Sequence, residues 1–372
     1  MKIAMFGIKG VPFAGGAENV AEQIGCRLVE RGHEVVLYVR PHYTAREVKE
    51  YRGMRLVHLP SVPTKNLDAI THSFLASIAC VTERPDIVHI HSTGNSVFAL
   101  IPRLMGIPTV VQSHGLDWQR AKWGKLAKAY LQMTDYTTTH FATVTAVVSL
   151  KLQRYYEERF HRPVLHIPNG VAAATKASPQ EIRRYGLHGD DYILFASRLV
   201  PEKGCHYLVD AYKRLGSTKK KLVIAGDGSY GDTYARTLKS LASEDILFLG
   251  FVQGRLFEEL LSNAYFYVLP SEIEGLSTGL LEAMSYGNCV LVSNIEENLE
   301  AIGRAGVTFK SGSIEDLSLK MRSLIEDPGV VDAHRRLAKS AVADKYDWER
   351  VTDQYEALYK SLLPRSALQP ST

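Results

Sequence analysis

The chain alternates between short apolar runs and longer stretches in which apolar positions recur every three or four residues. In the first half, "KIAMF" and "HEVVLYVR" predict β-strands, and Val20, Ala21, Ile24 and Leu28 between them lie at helical spacing. The same patterns predict strands at "MRLVHLP", "DIVHIHS", "PTVVQSHG", "ATVTAVVS" and "PVLHIPNGV", and helices at "LDAITHSFLASIACVTE", "SVFALIPRLMG" and "LKLQRYYEERF". Nearly continuous apolar strands that alternate with helices are typical of a doubly wound α/β domain with a parallel sheet.

The pattern lapses at residues 172–181, where "AAATKASPQE" is small, polar and interrupted by Pro179, so we predict a linker there. The alternation then resumes, with strands at "YILFASR", "KLVIAGDG", "ILFLGFV", "YFYVLPS" and "CVLVSN", and helices beginning near His206, Tyr234, Leu256 and Thr278. Residues 314–363 read as helices only. We therefore predict two doubly wound Rossmann-like domains that face each other across a cleft at the carboxyl ends of their strands.

Composition limits the class of protein without changing this picture. The 372 residues are 45% hydrophobic and 23% charged, as in ordinary globular proteins, and the length suits two domains. A net charge of +4 is only mildly basic, so we expect no nucleic acid as a partner, although an anionic ligand fits.

Cysteine spacing and the apolar runs bear on the compartment. Four widely spaced cysteines, Cys26, Cys80, Cys205 and Cys289, predict buried reduced thiols. The N-terminus opens as a strand, unlike a signal peptide, and no apolar run approaches the ~20 residues of a membrane span. We expect a soluble cytoplasmic protein, with peripheral association with the inner face of the membrane left open.

A glycine-rich loop, "GIKGVPFAGGAE" at residues 7–18, follows the first strand and precedes a predicted helix. Its glycines miss the GxGxxG spacing, because Gly7 and Gly10 are three apart. They also miss the Walker motif, because Gly16 and Ala17 stand where Lys and Ser or Thr belong. The loop by itself is therefore either a flexible turn or a backbone contact for phosphate.

Two segments of the second half carry charged residues just after predicted strands. "SRLVPEKG" places Arg198 and Lys203 in one loop, where they suit a diphosphate or remain solvated surface charges. "SEIEGLSTGLLEAMSYG" places Glu274 before a helix that Ser277 would cap, with Glu282 about one turn inside it. Free amides at such a helix start bind anions, and carboxylates accept hydrogen bonds from sugar hydroxyls; the alternative is a capped surface helix.

The first half has its own candidates after the strand "PTVVQS". His114 and Asp117 follow that strand in "QSHGLDW", although a lone histidine is more often structural. Basic and aromatic residues then interleave over 118–130, including Trp118, Arg120 and Trp123, on a predicted helix. This helix is either an ordinary amphipathic helix or a surface for an acceptor or a membrane interface.

The ordered set "SRLVPEKG", "VIAGDGS", "FLGFV" and the acid pair Glu274 and Glu282 resembles the retaining nucleotide-sugar glycosyltransferases of family GT4 over nearly the whole chain. The resemblance implies the two-domain GT-B fold and transfer of a sugar from a nucleotide diphosphate-sugar to an acceptor hydroxyl, with retention at the anomeric carbon. It implies no catalytic metal and no other cofactor. The acceptor would be a glycan, a lipid-linked molecule or a small molecule.

The resemblance also implies roles for single residues. Arg198 and Lys203 would bind the donor diphosphate, Glu274 would contact hydroxyls of the transferred sugar, and Glu282 would hold the ribose hydroxyls. Further donor contacts would come from the backbone of Gly275, Leu276 and Ser277, from the loop at Gly226, from the segment at Val252, and from the amides of Gly15 and Gly16 with Glu18 beginning the helix behind them. His114 would face the transferred sugar. Ser277 departs from the second glycine of many members, which puts the sugar preference in doubt.

The resemblance assigns residues 1–171 and a returning C-terminal helix at 347–372 to an acceptor-side domain, and 172–346 to a donor-binding domain. Three alternatives stay open at this point. One is an epimerase that uses the same donor site without an acceptor. Another is an NADP-dependent oxidoreductase, with Arg40 at the end of the second strand as the cation for the 2′-phosphate. The third is a non-catalytic sensor of nucleotide sugars.

Overall fold

The computed structural model describes residues 1–13, 15–64, 66–228 and 233–364. Ala14 of the glycine loop, Ser229 of "VIAGDGS" and the end of the predicted tail, 365–372, lie outside the described residues. The chain divides into two compact units, Met1–Gly170 with Trp348–Thr372, and Val171–Asp347.

Unit 1 contains, within the described residues, an eight-stranded sheet whose order is β3-β4-β2-β1-β5-β6-β7-β8. All pairs are parallel except β3 with β4. The strands are β1 Lys2–Phe6, β2 Glu34–Val39, β3 Glu50–Tyr51, β4 Met54–His58, β5 Ile87–His91, β6 Thr109–Ser113, β7 Val144–Val147 and β8 Leu165–His166. The helices are α1 Gly16–Glu30, α2 Leu67–Glu83, α3 Leu100–Leu104, α4 Lys125–His140 and α5 Leu150–Phe160, and α13 Trp348–Leu362 returns to this unit.

Apolar cores cover both faces of this sheet. On one face, Val20, Ile24 and Leu28 of α1 pack with Val351 and Tyr355 of α13, as the helical spacing of the α1 residues predicts. On the other face, the core is built around residues such as Tyr38 and Cys80, which α2 helps to bury. The strands are buried almost throughout, because helices cover both faces.

Unit 2 contains, within the described residues, a six-stranded parallel sheet of order β11-β10-β9-β12-β13-β14. Its strands are β9 Tyr192–Ala196, β10 Lys221–Ala225, β11 Ile246–Gly250, β12 Phe266–Leu269, β13 Val290–Ser293 and β14 Gly306–Phe309. Its helices are α6 Cys205–Lys213, α7 Thr233–Lys239, α8 Gly254–Asn263, α9 Thr278–Ser285, α10 Glu296–Ile302, α11 Ile314–Glu326 and α12 Pro328–Ala343.

Most predicted elements are confirmed, including α2 and α5 with the predicted ends. Residues 172–180, inside the predicted linker, form neither strand nor helix, and a 3₁₀ helix begins at Glu181. Other elements differ from the prediction. The strand at "PVLHIPNGV" has only two residues, and the helix at "SVFALIPRLMG" divides into a 3₁₀ helix over Thr93–Ala99 and the short α3. The elements β3, α10 and β14 were not predicted. All four cysteines are buried and free, as predicted.

Candidate functional site

The sheet order of unit 2 places β9 and β12 side by side although they are not consecutive in the chain. The chain runs from β9 through β10 to β11 on one side, and from β12 through β13 to β14 on the other. Ligands of open α/β sheets bind outside the carboxyl ends of the strands at such a switch point. The loops that leave β9 and β12 there are the two segments that the sequence singled out.

Backbone contacts join these two loops. Gly204 has a φ of +69°, and a Cβ at this position would come within 2.1 Å of the Pro270 carbonyl oxygen. The Glu272 amide donates a hydrogen bond of 3.0 Å to the Glu202 carbonyl. Only glycine permits this close approach, because it has no Cβ and adopts positive φ without strain. The loop after β9 is therefore held against the loop after β12.

Lys203 and Glu274 form an ion pair across the two loops. Lys203 Nζ lies 2.5 Å from Glu274 Oε1, and their side chains are only 13% and 6% exposed. Ser271 Oγ donates a second hydrogen bond of 2.6 Å to the same oxygen. Glu274 therefore compensates the charge of Lys203, which leaves Oε2 as the less occupied oxygen of the carboxylate.

Arg198 lies on the same loop, closer to β9, and is exposed. The loop after β10 packs against this segment, because the Leu199 amide donates a hydrogen bond of 3.0 Å to the Asp227 carbonyl. Gly226, at the end of β10, has a φ of +155°, and a Cβ there would come within 1.8 Å of the Ser197 carbonyl oxygen. The structure therefore brings Gly226 beside the segment that carries Arg198.

The start of α9 agrees with the predicted cap. Ser277 Oγ accepts a hydrogen bond of 3.3 Å from the Leu280 amide, and α9 begins at Thr278. The amides of Thr278 and Gly279 have no partner inside the helix, because the first turn of any α-helix leaves its N–H groups unpaired. Ser277 has a φ of −74°, so this position does not require glycine.

Glu282 lies one turn into α9 and is half-buried. Burial raises the pKa of its carboxyl group from its usual value of 4.5 to about 7. Within the described part of the chain, no protein group donates a hydrogen bond to this carboxylate. Glu282 is thus ready to accept hydrogen bonds from a ligand, in contrast to Glu274.

The two remaining donor candidates of unit 2 differ in place. Gly275 and the buried Leu276 belong to the loop between β12 and α9, directly before the cap. Val252 follows β11, the edge strand, and is half-buried. Since β10 separates β11 from β9, Val252 lies farther along the same sheet edge than Gly226.

In unit 1 the corresponding switch point lies between β1 and β5. Gly7, at the end of β1, has a φ of +97°, and a Cβ there would come within 2.1 Å of the His91 carbonyl oxygen. Asn95 Nδ2 donates to the carbonyls of both Gly7 and His91, at 3.2 and 2.9 Å. The glycine loop therefore starts from a rigid junction of β1 and β5.

A carboxylate lies against Gly15 at the start of α1. Glu18 is 9% exposed, and a Cβ on Gly15 would come within 2.0 Å of its Oε2. Its Oε1 accepts a hydrogen bond of 3.1 Å from the Lys9 amide. A Cβ on Gly16 would meet no heavy atom within 4 Å. Glu18 thus lies in the first turn of α1, close to the predicted start of the helix, and its carboxylate folds back over the loop.

His114 follows β6 directly and is half-buried. Its Nε2 lies 3.4 Å from Nδ1 of His91, the last residue of β5. Burial lowers the pKa of His114 to about 4; Asp117 opposes this shift, and Arg120 adds to it. The imidazole is therefore neutral at physiological pH.

The predicted helix over 118–130 is confirmed at residues 125–130 and wrong at residues 118–124. Residues Asp117–Gln119 form a single turn of 3₁₀ helix, and α4 begins only at Lys125, after Gly124. A tertiary contact explains the difference. Trp118 Nε1 donates a hydrogen bond of 2.9 Å to Asp135 Oδ2, and this contact holds the backbone around Trp118 in a non-helical conformation. Trp118 therefore anchors the loop to α4 with its indole N–H.

Other residues of this segment are also engaged. Arg120 Nε lies 3.2 Å from Asp117 Oδ1. The Lys122 ammonium lies 4.4 Å from the Trp123 ring centroid, in a cation–π contact. The basic and aromatic side chains therefore do not share one helical face.

Arg40, the cation of the dinucleotide alternative, is 4% exposed and pairs with Asp68 at 2.6 Å. Asp68 also accepts a hydrogen bond of 2.6 Å from Ser61 Oγ, and these contacts hold its pKa below the usual value despite burial. A guanidinium committed to a buried carboxylate is poorly suited to a 2′-phosphate, so this observation disfavours the oxidoreductase reading.

The described residues contain neither a cluster of metal ligands nor a membrane-spanning helix. No three of the described His, Cys, Asp and Glu side chains cluster as ligands for a metal ion. Among the described helices, none has the length and apolar character needed to cross a membrane.

Comparisons with known proteins agree with the two-unit organisation. The family described as "Glycosyl transferases group 1" matches residues 178–343, and the "Glycosyl transferase 4-like domain" matches residues 15–170. An uncharacterized glycosyltransferase of Methanocaldococcus jannaschii is 27% identical over 97% of this chain and 98% of its own length. The sulfoquinovosyl transferase of Arabidopsis thaliana is 24% identical over 96% of this chain and 74% of its own length.

A solved structure of HepE from Anabaena in complex with UDP-glucose superimposes with a TM-score of 0.81 at 19% identity, covering 97% of this chain and 100% of HepE. This likeness concerns the fold alone. Together with the two parallel sheets, it confirms the prediction of two Rossmann-like α/β domains of GT-B type.

Proposed function

The chain belongs to the group 1 glycosyltransferases of GT4 type, which act on nucleotide sugars, and from this premise we propose that it transfers a sugar from a UDP- or GDP-type donor to an acceptor hydroxyl with retention of anomeric configuration. The acceptor class we propose is a glycan, a glycolipid or another glycoconjugate precursor. The observation that carries the donor proposal is the meeting of Arg198, Lys203, the α9 amides and Glu282 at the β9–β12 switch point.

The charges at this edge suit a nucleoside diphosphate. Glu274 compensates Lys203 and Glu282 is close to half-protonated at neutral pH, so Arg198 and the amides at the start of α9 supply the positive potential for the diphosphate. Cations and fixed dipoles that face the leaving group stabilise the charge that develops as the glycosidic bond breaks. In this proposal they do so without a divalent metal.

The two carboxylates suit the two sugars of the donor. Glu282 is free to accept from the ribose hydroxyls, and Glu274 Oε2 from hydroxyls of the transferred sugar. Val252 and the Gly226 loop are the proposed neighbours of the base. We propose that unit 1 contributes His114 and the amides of Gly15 and Gly16 to the reaction. Phosphate binding would then require the Gly15 amide to leave the Phe13 carbonyl, to which it donates a hydrogen bond of 3.0 Å, and the Glu18 carboxylate to turn away from Gly15.

The loop of Asp117, Trp118, Arg120 and Trp123 remains our proposed acceptor side. Because Trp118 and Arg120 are held by Asp135 and Asp117, this loop would present a fixed surface to the acceptor. Contact of residues 118–130 with an anionic membrane is part of the proposal, and salt-insensitive binding or no binding to anionic vesicles would remove it.

The proposal is tested by incubating the protein with a panel of UDP- and GDP-sugars without acceptor and following the released nucleoside diphosphate and sugar by NMR. We expect slow hydrolysis of one donor, with the first sugar released in the donor's own anomeric form. Release of the opposite anomer would contradict retention, and conversion of the donor to an epimer would favour the epimerase instead. Saturable binding of a donor with no turnover, even with a range of acceptors, would favour the sensor.

A further inference from the structure

Three histidine rings form a row at the carboxyl edge of the sheet in unit 1. His89 and His91 lie on β5 and are fully buried, and His114 follows β6. The ring centroids of His89 and His91 are 4.3 Å apart, and those of His91 and His114 are 5.7 Å apart with an interplanar angle of 15°. Only His114 was recognised from the sequence.

The far end of the row is held by α13. Tyr359 Oη lies at hydrogen-bond distance, 2.7 Å, from His89 Nδ1, and Tyr359 is itself fully buried. Tyr355 of the same helix packs its ring 5.1 Å from that of His89. His91 therefore rests on a neighbour whose position α13 determines, so its ring has little freedom to rotate.

His91 Nδ1 and His114 Nε2 can share one proton in a hydrogen bond. Burial lowers the pKa of both imidazoles, that of His114 to about 4, so both rings are neutral near pH 7. Each neutral ring carries its proton on one nitrogen only. A hydrogen bond of 3.4 Å between these two atoms thus requires that one of them is protonated and the other is bare.

The environment of the opposite nitrogen of His91 decides which atom carries the proton. His91 Nε2 is buried, and none of the described residues is its hydrogen-bond partner. Among buried backbone groups, an N–H without a partner is rarer than an acceptor without one, and we apply the same preference to this imidazole. The proton of His91 is therefore favoured on Nδ1, which then donates to His114 Nε2.

The proton of His114 then lies on its own Nδ1. Among the residues that the structure describes, none forms a hydrogen bond with this nitrogen. The nitrogen of His114 that remains for a ligand is consequently a donor.

We propose that His91 is a positioning residue, which holds His114 as the Nδ1–H tautomer so that His114 donates a hydrogen bond to an oxygen of the transferred sugar and does not act as a base. This inference rests on the proposed function for the identity of the ligand. The tautomer itself is a property of the protein without ligand.

The direct test is ¹⁵N NMR of the histidine side chains in the uniformly labelled full-length protein at pH 8, with His114→Gln used to assign the signals of His114. We expect a protonated Nδ1 and a bare Nε2 for His114. A protonated Nε2 on His114 would overturn the proposal. Because this measurement needs no substrate, it separates failure of the inference from failure of the proposed function.

Two variants of His91 test the positioning role in turnover. His91→Asn keeps an N–H donor near the place of Nδ1, whereas His91→Leu removes it. We expect the Leu variant to lose the Nδ1–H tautomer of His114 and about tenfold in kcat, the loss of one neutral hydrogen bond, and the Asn variant to recover both.

The matched control is His58→Leu, which removes a half-buried histidine of β4 whose Nε2 contacts the Val48 carbonyl at 2.8 Å. It should change neither the His114 signals nor kcat. Equal loss in the Asn and Leu variants, with His114 unchanged in its tautomer, would contradict a positioning role for His91.

Discussion

The ion pair of Lys203 and Glu274 should respond asymmetrically to removal of either partner. In Lys203→Met the Glu274 carboxylate stays 6% exposed, and among the described residues the Ser271 hydroxyl is the side-chain partner that remains. An uncompensated buried charge costs about 3–5 kcal/mol, so we expect a loss of about 3 kcal/mol in the free energy of unfolding, since the site is near the sheet edge. In Glu274→Gln the lysine stem can turn its ammonium group toward water, and we expect a loss of about 1 kcal/mol.

The assay is urea unfolding followed by circular dichroism, with hydrogen exchange of the β12 amides to locate the effect in unit 2. Lys239→Met is the matched control, because Lys239 pairs with Asp227 at 2.7 Å but both side chains are about 40% exposed. An exposed pair contributes about 0–1 kcal/mol, so this variant should stay close to the parent. A loss in Glu274→Gln equal to or greater than that in Lys203→Met would refute the reasoning.

Four further predictions concern the same edge of unit 2. Arg198→Ala should lower kcat about 10²–10³-fold at unchanged stability, whereas Arg322→Ala, an exposed arginine on α11, should not; near-normal turnover would remove Arg198 from the site. Donor affinity should rise about tenfold between pH 6 and pH 8, as Glu282 ionises through its pKa of about 7, and titration calorimetry of Glu282→Gln should show a flat profile. Ionisation of Glu282 should also lower the free energy of unfolding as the pH rises from about 4.5 to 7, because the Glu282 carboxyl group holds its proton more tightly in the folded protein than in the unfolded chain. A free energy of unfolding that rises over this window, and that no longer rises in Glu282→Gln, would contradict the raised pKa. Gly226→Ala should lower the free energy of unfolding by at least about 3 kcal/mol, because its Cβ would lie 1.8 Å from a backbone carbonyl oxygen. The control is Gly216→Ala, which has φ +74° and open space around its Cβ and should lower it by only about 1 kcal/mol through backbone strain. Equal losses in urea unfolding would contradict the clash.

Hydrophobic periodicity predicted most of the fold because the sheets are covered on both faces. Strands such as β5 and β9 are buried at every position, and α1 buries one stripe, so each leaves a clear pattern in the chain. No element was predicted for the region between β13 and α11, which contains α10 and β14. The acidic first turn of α10 and the β-branched residues of β14 were the signals that could have identified it.

The candidate site was predicted in its residues but not in its contacts. Lys203 and Glu274 were chosen separately, and their pairing across 71 positions depends on the strand order, which local patterns do not contain. The first part of the helix predicted at 118–130, residues 118–124, is not helical for the same reason, because Trp118 donates a hydrogen bond to Asp135 on α4. His89 and His91 read as ordinary strand residues, although two histidines in an otherwise apolar buried strand were an available signal for a polar row.

The central claim is that the β9–β12 edge of unit 2 binds a nucleoside diphosphate-sugar. Titration calorimetry with a panel of UDP- and GDP-sugars, on the parent protein and on Arg198→Ala and Glu282→Ala, tests it most directly. The account predicts saturable binding of at least one donor to the parent protein, and at least tenfold weaker binding to each variant while Arg322→Ala binds as the parent does. Binding of no nucleotide sugar, or binding of equal strength to the parent and to both site variants, would contradict the claim.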